Sequence, residues 1–192
     1  MSINESQGDR ARAQEEEYFR KRDIELVEKM RQKVAAEEAR TALGEKTGLG
    51  NIEYLEDLRQ LGFTADTVAL LPLVPVVQMA WAEGGVTPVE RDLIEQLANA
   101  RGIAPGSPAD AQLMDWLANR PADAVFNGAG RLINAMLASG SEQVSNLTAD
   151  DLVKYCETIA AASGGIFGLG RVSGEERALL ASIAADLRNR AG

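Results

Sequence analysis

From Asn51 onward, apolar residues recur three and four positions apart, the spacing of one face of a helix. The pattern predicts helices over about 52–61, 66–83, 87–101, 108–119, 122–139, 148–163 and 173–190. No run alternates apolar and polar residues over strand length, so the fold class is all-α. Start signals fall where the pattern wants them. Thr87-Pro88 with Glu90 is a capping box with proline at the first helical position. Ser173 with Glu176 repeats the box, and Thr148 with Asp151 is a weaker version with a shorter acid.

Upstream the pattern changes. Residues 10–43 are rich in Glu, Arg, Lys and Ala, contain no Gly or Pro, and predict one long charged helix. Glu17–Lys21 and Glu25–Lys29 are spaced for favourably oriented ion pairs along it. Phe19, Leu26, Val27, Met30 and Val34 make a narrow apolar stripe with Tyr18 beside it, too narrow for a core helix. A helix of this kind is marginal alone and becomes ordered on docking. Residues 1–9 are polar and expected to be disordered. Gly44, Gly48 and Gly50 are expected to stop the helix and make a linker over 44–51, ahead of a helical domain at 52–192.

The domain contains an internal repeat. Ala80-Trp81-Ala82-Glu83-Gly84-Gly85 matches Ala160-Ala161-Ala162-Ser163-Gly164-Gly165. Val86-Thr87-Pro88-Val89-Glu90-Arg91 matches Val172-Ser173-Gly174-Glu175-Glu176-Arg177, with Ile166 to Arg171 inserted in the second copy. Each copy reads as an apolar helix, a Gly-Gly turn, a cap and a second helix, so two facing hairpins can share one core. The repeat resembles the TerB-like domain of tellurite-resistance proteins over roughly Ala69 to Asp186. Some members place acidic residues before the turn that could hold a metal. Here those positions are Glu83 and Ser163, a poor set for a hard cation, and no metal or other cofactor is expected.

Composition removes several function classes. The chain has no histidine, so the commonest general base, metal ligand and pH switch are all missing, and no Ser-His or Cys-His nucleophile can form. No set of residues assembles a catalytic constellation, and a non-enzymatic role is expected. The net charge is −9, which gives no field to attract nucleic acid or an anionic membrane surface. The single cysteine, Cys156, and the lack of a signal-like start fit a reducing cytoplasm. The most apolar run, Val68 to Ala82, is too short to span a bilayer and is broken by Pro72 and Pro75.

The order of residues in the charged helix carries the sharpest signal. Arg10-Ala11-Arg12-Ala13-Gln14-Glu15-Glu16-Glu17-Tyr18-Phe19-Arg20-Lys21-Arg22-Asp23-Ile24-Glu25 resembles the inhibitory segment of the mitochondrial ATPase inhibitor proteins, a match covering about Arg10 to Arg31. The resemblance implies a helix that inserts between an α and a β subunit of the F1 head of ATP synthase and stops ATP hydrolysis. It implies a partner-binding surface of Arg12, Glu15, Glu16, Tyr18, Phe19, Arg20, Arg22, Val27 and Met30. Tyr18 and Phe19 would be anchors in apolar pockets, Glu15 would pair with an arginine of the head, and Arg20 with a carboxylate. Val27 and Met30 would pack on the β subunit, with γ a further candidate partner. Ala11 stands where the family often has an acid, and without histidine the family's histidine-driven pH control cannot operate. The alternative function is a TerB-like stress-related scaffold whose N-terminal helix is a coiled-coil docking arm.

The remaining glycine-rich pieces read as structure. Gly164-Gly165-Ile166-Phe167-Gly168-Leu169-Gly170 has no following Lys-Ser/Thr, so it is a turn with an apolar tip rather than a phosphate loop. Asn127-Gly128-Ala129-Gly130 lies inside an amphipathic pattern and is expected to permit close helix packing, and Trp81 and Trp116 are expected in the core.

Overall fold

In a computed structural model the backbone is described for residues 3–162 and 173–188, and side chains from Glu15 onward within those ranges. The fold is all-α. Eight α-helices are seen: α1 (Ile3–Thr47), α2 (Ile52–Gln60), α3 (Val74–Ala80), α4 (Pro88–Ala100), α5 (Pro108–Ala118), α6 (Asp123–Ser139), α7 (Ala149–Ala162) and α8 (Gly174–Arg188). Short 3₁₀ turns at Val68–Leu73 and Glu142–Val144 complete the described elements, which include no strand. The chain forms two compact units, Met1–Ala39 and Arg40–Gly192.

Both ends of α1 differ from the expected 10–43. The helix already includes residues 3–9, because adding a residue to an existing helix is far easier than nucleating one. At the other end it runs through Gly44 and stops at Thr47. The stop is Gly48, which takes the left-handed conformation at φ +68° and donates its N–H to the Gly44 carbonyl at 2.9 Å. The segment 44–51 is therefore not a free linker. Leu43, Thr47 and Leu49 are buried among the core residues of the second unit. The Thr47 hydroxyl donates to the Leu43 carbonyl at 2.7 Å and accepts from the Leu49 N–H at 3.3 Å, which keeps this buried turn satisfied.

The helix expected at 66–83 is two elements, a 3₁₀ turn followed by α3. Pro72 and Pro75 are the cause, since neither can donate a backbone hydrogen bond. Pro72 is accommodated in the 3₁₀ turn, and Pro75 sits in the first turn of α3, where the N–H has no helical partner anyway. Nearly every α3 residue is buried: Val74, Pro75, Val76, Val77, Met79 and Ala80. The helix is the hub of the domain, packing against α4, α6, α7 and α8. The two hairpins read from the repeat, α3–α4 and α7–α8, thus meet in one core. The inserted residues of the second copy, including Ile166, Phe167 and Leu169, lie outside the described residues.

All three capping boxes form. Glu90 accepts from the Thr87 N–H at 2.7 Å, Glu176 from the Ser173 N–H at 2.7 Å, and Asp151 from the Thr148 N–H at 3.0 Å. The α6 glycines let neighbours approach closely. A β-carbon on Gly128 would lie 2.8 Å from Leu61 Cδ1, and one on Gly130 would lie 3.2 Å from the β-carbon of Asp186 on α8. Trp116 is buried edge-on against Phe63 at 5.8 Å. Trp81 donates its indole N–H to the Trp116 carbonyl at 2.9 Å.

Candidate functional site

Every sequence-predicted partner-binding residue lies on α1 within the first unit. Arg12 is in the helix, and its side chain is outside the described set. Glu15, Glu16, Tyr18, Phe19, Arg20, Arg22, Val27 and Met30 are all exposed. Successive residues point a little over a quarter turn apart, so Tyr18 and Phe19 are neighbours in space without sharing one face. Their rings meet edge to face with centroids 5.8 Å apart and planes inclined by 69°. Each of the two residues is 54% exposed. Arg22 donates to the Tyr18 hydroxyl at 3.2 Å and lies 5.8 Å from the ring centre, so one turn of helix holds the phenol in place.

Charges on the same helix pair along its length. Lys21 meets Glu17 at 2.8 Å, as the spacing predicts. The equivalent Glu25–Lys29 ion pair does not form among the described residues. Gln32 donates to Glu28 at 3.2 Å one turn above Glu28. Between these charges Ile24, Leu26, Val27, Met30 and Val34 stand exposed. Ile24 is an exposed apolar residue outside the stripe, and only its isolation among charged residues marks it.

Large apolar side chains left in water on one helix are the kind of surface that a partner can cover. Complete burial of one such side chain stabilises a complex by roughly 1.5–3 kcal/mol. The flanking charges then fix register and orientation.

The described residues of the second unit include two exposed large apolar side chains, Ile52 and Val89, far apart in sequence. Among the described residues no three His, Cys, Asp or Glu side chains converge as metal ligands. The Cys156 thiol is buried, and loss of water pushes its pKa up to about 12, so it holds its proton and is a poor nucleophile. Surface carboxylates with lowered pKa values have structural partners. Glu56 is held down at about 2, first by the hydrogen bond from Arg59 and then by one from Gln60. Asp151 is lowered by its hydrogen bonds from Thr148, the side-chain bond first. Glu90 and Glu176, both at capped helix starts, are buried, and the Glu176 Oε1 has no hydrogen-bond partner. No helix of the described residues is long and apolar enough to cross a membrane.

No protein-family model matches this chain, and no curated protein or solved structure is significantly similar to it.

Proposed function

We propose that this chain is a protein inhibitor of the F1 head of ATP synthase, acting without catalysis of its own. The α1 segment 10–31 inserts at a catalytic α/β interface and blocks ATP hydrolysis. One observation carries the reading: Tyr18 and Phe19 stand side by side and half exposed on an uninterrupted helix, inside the residue order Glu15 to Arg22 that resembles the ATPase inhibitor segment. In that role the two rings are the anchors, Glu15 and Arg20 pair with opposite charges on the head, and Arg12, Glu16 and Arg22 set register. Val27 and Met30 cover apolar surface on the β subunit.

The test is ATP hydrolysis by an isolated bacterial F1 head titrated with the full chain. Inhibition is expected, with the Tyr18→Ala/Phe19→Ala double variant about tenfold weaker or more, as for aromatic hot spots elsewhere. A full chain without effect overturns the proposal. Equal inhibition by the double variant overturns the anchor assignment.

A second reading is a TerB-like stress-related scaffold with α1 as its docking arm. The packing of α3–α4 against α7–α8 and the exposed stripe on α1 favour it. Absence of any effect on F1, with loss of a partner complex on deleting residues 1–36, which leaves Leu43 in the core, would favour it over the first.

A further inference from the structure

A carboxylate stands inside the apolar stripe of α1. Asp23 is exposed and follows Phe19 by four residues. It precedes Leu26 by three, Val27 by four and Met30 by seven. Those are the spacings of residues that share one face of a helix, so exposed apolar side chains border Asp23 above and below. Glu25 and Glu28 differ, since they lie roughly 200° and 140° further round the helix than Asp23. A partner can cover the stripe and leave those two in water. It cannot cover Phe19 together with Val27 and Met30 without covering Asp23 as well.

Nothing on the helix prepares that carboxylate for the loss of water. Among the described residues the Asp23 side chain makes no ion pair and no hydrogen bond. Of the positions three and four away from it, 19, 20, 26 and 27, only Arg20 carries a charge. An ionised carboxylate stripped of water without a partner is strongly unfavourable, and a hydrogen-bonded cation offsets most of that cost. The penalty falls on every apolar groove that lacks a cation at this point. Asp23 therefore rejects wrong partners more than it adds affinity for the right one.

From this we propose that Asp23 is a specificity-determining residue, and that the groove which covers α1 carries an arginine or lysine facing it, between the surfaces that take Phe19 and Met30. The groove is apolar on either side of that cation. The proposal rests on the F1 reading for the identity of the partner, and there the cation belongs to the α/β interface. It adds to that reading a residue outside the set of anchors and register charges, and it makes the charge in the stripe part of the recognition rather than a gap in it.

The test is inhibition of ATP hydrolysis by the isolated F1 head, with the full chain and its Asp23→Leu variant. Leucine completes the apolar stripe and is a better helix former than aspartate. Against a groove without a cation, the variant should inhibit as well as the unchanged chain or better. Against a groove with one, it leaves that cation covered and unpaired, and inhibition should weaken about tenfold or more. A smaller loss, or a gain, overturns the proposal and leaves the F1 reading standing. A full chain without effect on F1 overturns both. The same comparison in an Arg20→Ala background separates the one internal alternative. The loss from Asp23→Leu should persist there, and its disappearance would mean that Asp23 pairs with Arg20 in the complex, which also overturns the proposal. Both positions are exposed on α1 and lie outside the core of the second unit, so the variants keep the fold.

Discussion

The thiol of Cys156 shows what a single buried group contributes. Its pKa rises from 9.0 to about 12, with burial as the main cause and the negative charge of Glu157 as a smaller one. Relative to the unfolded chain, the raised value means that the thiol's contribution to stability is complete below pH 9.0. It is lost as pH rises toward about 12, because the unfolded thiol ionises first. Alkylation with iodoacetamide at pH 8 should therefore be at least a hundredfold slower for the native chain than for the chain in denaturant, as mass spectrometry can follow. Equal rates would mean that the α7 region opens readily. At this scale much was legible in advance. The order Glu15 to Arg22 could be read directly, because neighbours along a helix are neighbours in space. The capping boxes were legible for the same reason, and their hydrogen bonds form. The burial of Glu90 and Glu176 was not, since a box specifies bonds within four residues but not what packs over the helix start. The ion pair of Asp57 with Arg131, and the stacking of Arg131 on Tyr54 at 5.4 Å, join α2 to α6 and leave no local trace in the sequence.

Among the elements, helix centres followed from periodicity, and helix ends depended on chemistry that periodicity does not register. Two prolines split the apolar stretch before Trp81, because a missing donor matters at one position and is harmless at another. Three glycines after Leu43 all look like stop signals, yet only Gly48 ends α1. Gly44 stays helical because Leu43 and Thr47 on the same turn gain burial, and that gain exceeds the roughly 1 kcal/mol that a helical glycine costs. This assignment predicts a large effect from a position that otherwise reads as the edge of a linker. Leu43→Ala should lower the unfolding free energy by about 2–5 kcal/mol in urea titrations, as for other fully buried leucines. A change below about 0.5 kcal/mol would show that the turn does not contribute to the core. The Asn127–Gly130 piece behaved as its sequence suggests, with Gly128 receiving Leu61 and Gly130 receiving α8.

For the whole chain, the internal repeat was the best guide, since matching caps and turns located both hairpins that share the core. The division into units shows where the arm ends and the body begins. A chain starting at Glu37 keeps Leu43, Thr47 and Leu49, and should melt within a few degrees of the full protein in calorimetry. A chain starting at Asn51 loses all three and should melt at least about 5 °C lower. Identical melting of the two truncations would restore the linker reading of 44–51. The shared helix also bears on how such a protein can be recombined. Because α1 supplies residues to both units, the glycines are the wrong place to exchange one arm for another. A working chimera should be spliced near Ala39, inside the helix and in phase with it, so that any donor arm inherits the native Leu43–Leu49 plug.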